Sequence, residues 1–258
     1  SFPTRRSSDL IDNAGNLGDI SDARIVRVDV TPPPAPTLLS PLDGAPSRTN
    51  PPTLRWADTN DLPASHPSGV TGYAVTLGGV TVDTPDATAS LTWPTSIIDG
   101  SVTWSVRARD LAGNLGPAST SRTIVLDTVP PATPVITSPL PSEWFRADNA
   151  TITWTASTDT RSGVCGYDVA VDGAGTSVDA DTTSLALSGQ TDGLRDVQVR
   201  ARDCAGNLSD PATVTFGFDG TAPTPGTPTA PVGCTNDPSP PFSWTACTDA
   251  TSGVATTT

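Results

Sequence analysis

The sequence predicts an all-β chain, built as a tandem array of seven-stranded sandwiches. Three observations carry this. First, three landmarks recur in register. A strand-like Trp stands at Trp56, Trp154 and Trp244, an S-G-V turn follows each at Ser68, Ser162 and Ser252, and D-x-A-G-N-L appears at Asp12, Asp110 and Asp203. Second, each full repeat contains seven short apolar/polar alternations, the period of half-buried strands. Third, helix-favouring residues are scarce. Lys and Met are absent, Glu143 is the only Glu, and Thr, Val, Asp, Gly and Pro dominate, which is strand-and-turn chemistry.

The landmark register sets the expected domains. Residues 11–33 read as the end of one repeat, 34–131 and 132–223 as complete repeats, and 224–258 as the start of another. Asp29, Asp127 and Asp219 each close a last strand ahead of a Pro-containing junction. Residues 1–10, SFPTRRSSDL, resemble a translated sequencing adapter and are set aside as non-native. The final Ala255-Thr-Thr-Thr departs from the repeat pattern. The reading therefore expects a piece of a longer protein.

Alternation names the strands and their inward faces. In the second repeat the strands are expected near 134–138, 150–155, 166–171, 176–178, 184–187, 196–201 and 213–218. Their inward residues are Ile152 and Trp154; Tyr167, Val169 and Val171; Leu185 and Leu187; Val197, Val199 and Ala201; Val214, Phe216 and Phe218. The first repeat supplies the matching set Leu54, Trp56, Tyr73, Val75, Leu77, Leu91, Trp93, Trp104, Val106, Ala108, Ile124 and Leu126. A repeat of this size can fold alone.

Trp on the second strand, Tyr on the third and V-R-A-R-D-x-A-G-N ahead of the last strand resemble the bacterial immunoglobulin-like and fibronectin type III-like repeats of secreted and surface proteins. The resemblance runs from residue 11 onward. It implies tandem immunoglobulin-like/fibronectin type III-like β-sandwiches, with the first, second and fifth strands in one sheet and the other four in the second. For function it implies spacers, adhesins or accessory domains of extracellular proteins.

The resemblance also bears on two sets of residues. In its fold, Cys165 before the third strand and Cys204 after the sixth lie on antiparallel neighbours, so a disulfide is expected and with it an oxidising compartment. The first repeat has Thr71 and Leu111 there, both cysteines being absent together. Free thiols or an incomplete metal pair are the alternatives, and the partners of Cys234 and Cys247 stay open. The D-x-A-G-N motif has a structural role as a tight hairpin, with Gly113 and Gly206 at positive φ and the Asp and Asn side chains bonding the loop. Its functional reading is a calcium site at the repeat junction, which the resemblance implies. Asp110, Asn114 and Asp127 would form one set, and Asp203, Asn207 and Asp219 the other, if the hairpin and the following linker converge. No D-x-D-x-D loop supports it.

Other signals point away from chemistry. The net charge of −13 opposes nucleic-acid binding, which needs a basic footprint. No apolar run is long enough to span a membrane. The outward Arg107, Arg109, Arg200 and Arg202 read as a solvated face paired to Asp, with anionic glycan as the sharper alternative. His66, the only histidine, sits in a loop. Loop carboxylates Asp58, Asp61, Asp159 and Asp249 could in principle do glycosidase work, but filled sandwiches offer no cleft for it. Trp93, Trp144 and Phe145 are the aromatics with no settled core place. The expected function is thus a non-catalytic extracellular spacer partnered by its neighbouring repeats. An adhesive or carbohydrate-binding module that meets a surface glycan or protein, and an accessory array of a secreted hydrolase, are the alternatives.

Overall fold

The computed structural model describes residues 13–16, 28–61, 68–146, 149–230 and 233–255. The adapter-like residues 1–10, Asp12, His66 and Thr256 to Thr258 lie outside them.

In the first repeat the strands are β1 (Leu38–Ser40), β2 (Ala45–Ser47), β3 (Thr53–Trp56), β4 (Val70–Leu77), β5 (Val80–Asp83), β6 (Ser90–Thr92), β7 (Gly100–Asp110) and β8 (Arg122–Leu126). They form one sheet in the order β1-β3-β6 and another in the order β2-β8-β7-β4-β5. The second repeat has β9 (Ile136–Ser138), β10 (Trp144–Phe145), β11 (Ala150–Trp154), β12 (Val164–Val171), β13 (Ala174–Asp179), β14 (Ser184–Leu187), β15 (Gly193–Asp203) and β16 (Ala212–Phe218). Its sheets run β14-β11-β9 and β10-β16-β15-β12-β13. Residues 224–258 contribute β17 (Pro228–Ala230) and β18 (Ser243–Trp244), paired antiparallel.

The sheet grouping matches the expectation from the sequence, but the strand count differs. The first strand of each repeat is split in two. β1 and β9 pair antiparallel with β3 and β11, whereas β2 and β10 cross over to pair parallel with β8 and β16. Both switches follow a Ser-Pro pair, at Pro41 and Pro139. Proline has no N–H for the ladder, so the chain leaves the first sheet there and recovers its bonds on the other.

Alternation placed the core correctly. Tyr167, Val169, Val197, Val199, Ala201, Phe216 and Phe218 are buried between the second repeat's sheets, with Ile152 and Trp154 facing them. Trp154 meets Tyr167 edge-on at 5.5 Å, and Trp56 meets Tyr73 at 5.1 Å. The split strand places two of the remaining aromatics, Trp144 and Phe145. Phe145 packs edge-on against Phe216 at 5.7 Å and lies 6.1 Å from Phe218. Trp144 is paired with Gly217, where a Cβ would run into the indole, and Trp93 is buried. By contrast Trp244 is 68 % exposed, because among the described residues no second sheet covers β18. No described helix is long and apolar enough to cross a membrane.

The compact units of the chain do not follow the repeat register. One comprises the described residues of Ser1–Ser40, Leu54–Leu91 and Thr103–Arg122. The other comprises those of Pro41–Thr53, Thr92–Val102 and Thr123–Thr258. The second unit thus joins the first repeat's residues near its last strand end to the whole second repeat.

Because Phe145 closes the aromatic cluster at the sheet edge, Phe145→Ala should destabilise the second repeat by about 3 kcal/mol in urea unfolding. Leu194→Ala, at a 59 % exposed position, should stay within about 0.5 kcal/mol.

Candidate functional site

The polar residues that repeat in the sequence converge where a linker enters the next repeat. Asp127 is fully buried. Its Oδ1 accepts the Val129 amide at 3.1 Å and its Oδ2 the Ser162 amide at 3.0 Å. Its carbonyl accepts Asn207 Nδ2 at 2.8 Å. Asp159 Oδ1 in turn accepts the amides of Arg161, Ser162 and Gly163 at 2.9–3.0 Å. Asp203 takes the Asn207 amide at 2.8 Å and its Nδ2 at 2.7 Å. Buried carboxylates are tolerated because N–H donors replace their water.

The same arrangement surrounds the preceding linker. Asp29 accepts the amides of Thr31 and Ser68 at 3.0 and 2.8 Å, and its carbonyl accepts Asn114 Nδ2 at 3.1 Å. Asp61 accepts the Ser68 and Gly69 amides, and Asp110 accepts both nitrogens of Asn114 at 2.8 Å. The third copy has Asp219 and Asp249 sharing the Ser252 amide at 3.0 Å. Gly113 and Gly206 sit at φ 91° and 94°, where residues with a Cβ are strained.

The structure groups these residues differently from the sets expected from the sequence. Asp110 and Asn114 join Asp29 and Asp61, not Asp127. Asp203 and Asn207 join Asp127 and Asp159, not Asp219, which joins Asp249. The sets are offset by one repeat because the last strand runs away from the hairpin. The seven residues of β16 span about 23 Å, which separates Asp219 from Asp203. Each hairpin therefore meets the linker that precedes its repeat.

The carboxylates Asp29, Asp61 and Asp110 offer oxygens within 4.8 Å of one another, and so do Asp127, Asp159 and Asp203. Asp127 has a cation nearby, Arg161 Nε at 3.8 Å. Among the described residues none of Asp29, Asp61 and Asp110 forms an ion pair. Sequence reasoning had noted Asp61, Asp159 and Asp249 only as loop carboxylates and the Ser as a turn residue. Their shared spacing, Asp three residues ahead of Ser-Gly at 159 and 249, was the available signal.

The far side of each linker is held as well, by residues the sequence reading did not single out. Asp99 Oδ2 accepts both the amide and the hydroxyl of Thr128 at 2.8 Å. Asp192 accepts the Gly220 amide at 2.8 Å and the Thr221 hydroxyl at 2.6 Å. Both stand in Asp-Gly pairs that open the long strands β7 and β15.

Cys165 and Cys204 are joined by a disulfide, with Cα atoms 4.9 Å apart. Cys165 is the extra residue of a β-bulge between Val164 and Gly166, which turns it out of the ladder toward Cys204. Thr71 occupies the same bulge in the first repeat, and its hydroxyl donates to the Asp110 carbonyl at 3.1 Å. Cys234 and Cys247 are free and exposed. The outward arginines bind locally. Arg109 pairs with Asp83 at 3.2 Å, Arg202 with Asp168 at 3.7 Å, and Arg107 donates to the Gly116 carbonyl at 2.7 Å.

No family model matches the chain. It is 35 % identical over 256 aligned positions to Exoglucanase B of Cellulomonas fimi, covering 92 % of this chain and 22 % of that protein. It is 33 % identical over 193 positions to Chitinase A1 of Niallia circulans, covering 69 % of this chain and 26 % of that one. The chain thus spans about a quarter or less of the length of these curated relatives. The fibronectin(III)-like modules of Clostridium thermocellum CbhA superpose with a TM-score of 0.51 at 17 % identity, covering 71 % of this chain and 93 % of theirs.

The linker contacts should respond to acid. The Thr128 amide lowers the Asp99 carboxyl below its usual value, and the Thr221 hydroxyl does so for Asp192. A depressed folded-state pKa gives stability that is present above the unfolded value and lost as pH falls through the folded one. The Thr128 and Gly220 amide shifts should therefore hold steady from pH 7 to about 4 and move only below that. An NMR pH titration with a midpoint near 5 would contradict this.

Proposed function

The two complete repeats are fibronectin type III-like modules, and from that premise we propose that the chain is a non-catalytic spacer array of an extracellular enzyme acting on a polysaccharide. The observation that carries the reading is a pair of filled sandwiches whose polar residues are spent on linkers. Of the carboxylates weighed for glycosidase work, Asp61, Asp159 and Asp249 accept turn amides, and Asp58 lines an open surface hollow beside Arg55 and Asp86. The relatives, an exoglucanase and a chitinase, are several times longer than the aligned part, which suits modules placed beside a catalytic domain. The adhesive alternative has less support, since Phe145 and Trp93 are packed into sandwiches and the partly exposed Trp144 lies against Gly217; the exposed Phe242 and Trp244 belong to the last, partial repeat.

The test is direct. Incubated with cellulose or chitin, the purified chain should stay in the supernatant and release no reducing ends. Retention in the pellet would favour the carbohydrate-binding alternative, and released sugar would overturn the reading.

A second reading concerns the linker carboxylates. Three carboxylates within 4.8 Å repel one another, and each oxygen has lone pairs beyond those its N–H donors use. Asp127, Asp159 and Asp203, and separately Asp29, Asp61 and Asp110, would hold calcium, which favours such hard oxygen donors. Bound there, the ion would neutralise the cluster and add to folded-state stability. Millimolar calcium should then raise the melting temperature of the chain by several degrees. Magnesium should do less, and Asp159→Asn should reduce the calcium effect. An unchanged melting temperature would remove calcium from the stability of these sites.

A further inference from the structure

The linker between the two complete repeats has no free backbone donor. The Asp127 amide donates to the Ser47 carbonyl at 3.0 Å. The Thr128 amide goes to Asp99 and the Val129 amide to Asp127. Pro130 and Pro131 have no N–H, and the Ala132 amide donates to the Thr158 carbonyl at 3.0 Å. A flexible tether would leave these groups to water. Here they are consumed in order, first by Ser47 and Asp99 of the first repeat, then by Thr158 of the second.

Side chains close the two halves on each other. Asp127 takes the Ser162 amide and the Asn207 amide group from the second repeat. Arg48 Nη1 donates to the Gly206 carbonyl at 2.7 Å, and Arg161 Nη1 to the Asp99 carbonyl at 2.9 Å. Asp99 thus receives Thr128 on its carboxylate and Arg161 on its backbone. All of these groups lie within one compact unit that runs through the linker.

We propose that residues 127–132 form a two-sided clamp that makes the first repeat's C-terminal end and the second repeat's N-terminal end open together. In a tandem array, stability is a sum of repeat and neighbour terms. The clamp is the neighbour term of this array. It stands whether or not the spacer reading holds, because it concerns only the chain itself.

Amide hydrogen exchange by NMR on the full isotope-labelled chain tests it. In the unmodified chain, Thr128, Val129 and Ser162 should exchange at least tenfold slower than unstructured backbone, and at similar rates to one another. Asp99→Ala removes the Thr128 acceptor and a charge that also acts on Asn50 and Arg161, but keeps the carbonyl that Arg161 binds, and it should speed exchange at Ser162 about as much as at Thr128. The amides of β15 should keep their rates. Loop-like exchange at these three amides in the unmodified chain would overturn the proposal without any variant. So would an Asp99→Ala chain in which Thr128 is released and Ser162 is unchanged, since that would describe two independent caps. Asp99→Asn keeps one acceptor oxygen and should fall between the two. Acceleration throughout β15 would assign the effect to unfolding of the repeat and would also count against the clamp.

Discussion

A carboxylate placed beyond the reach of water must find donors inside the protein. Asp127 is fully buried, and it finds them on both its carboxylate oxygens and its carbonyl. Leaving any one of these groups unpaired would cost on the order of 1–3 kcal/mol, which explains why the donors are so specific. Ser162 must present its amide, so a turn with Gly163 at φ 78° follows it. Asn207 must reach the carbonyl, so its hairpin is fixed by Asp203 and by Gly206. Two of the three landmarks that define the repeat in the sequence, S-G-V and D-x-A-G-N, are thus parts of one hydrogen-bonded arrangement around a linker aspartate.

The sandwich and the linker site were not equally legible. Period-two alternation assigned Ile152, Trp154, Val199 and Phe216 to the interior because a pleated strand leaves no other choice. It could not show that the first strand divides at Pro41 and Pro139, since that depends on which sheet edge is open. The grouping of the linker carboxylates differs from the expected one for a simpler reason. Asp203, at the end of β15, and Asp219, just past β16, are close in sequence, but the strand between them carries the chain to the other end of the sandwich. The correct partners, Asp29 with Asp110 and Asp127 with Asp203, lie one repeat apart in the sequence, where local spacing is silent.

The bulge ahead of the third strand shows one backbone solution used twice. Thr71 and Cys165 are each the extra residue, and each is followed by a glycine that sits close against a neighbouring carbonyl. A Cβ on Gly166 would run into the Val178 carbonyl, and one on Gly72 would come within 3.2 Å of the Thr84 carbonyl. The bulge turns its side chain toward the hairpin that holds the linker. In one repeat that side chain makes a hydrogen bond, in the other a covalent bond to Cys204. The disulfide closes a loop of 39 residues, and the chain-entropy estimate for that is roughly 4 kcal/mol. Its location, beside Asp203, means that this cross-link also fixes the hairpin that receives Asp127.

Comparison of the repeats with one another separates the two kinds of constraint. At the core's centre Trp56 and Trp154, Tyr73 and Tyr167, Val106 and Val199, and Ala108 and Ala201 are the same, while other core positions exchange: Leu54 corresponds to Ile152, Leu77 to Val171, Trp104 to Val197, and Leu126 to Phe218. A packed interior accepts such changes when volume is recovered nearby, as Phe145 and Phe216 recover it in the second repeat. The carboxylates and turn serines around the linker do not exchange, although the residues after the linker aspartate do. Asp29, Asp127 and Asp219 keep the same residue, as do Asp61, Asp159 and Asp249, and Ser68, Ser162 and Ser252. A hydrogen bond to a buried carboxylate fixes distance and direction, so neither a longer acid nor an amide can replace the aspartate without displacing a donor. The repeats therefore keep two sets of residues, an aromatic centre in each sandwich and a carboxylate cluster where one module meets the next, and leave the rest of the interior to the looser rule of apolar inside and polar outside.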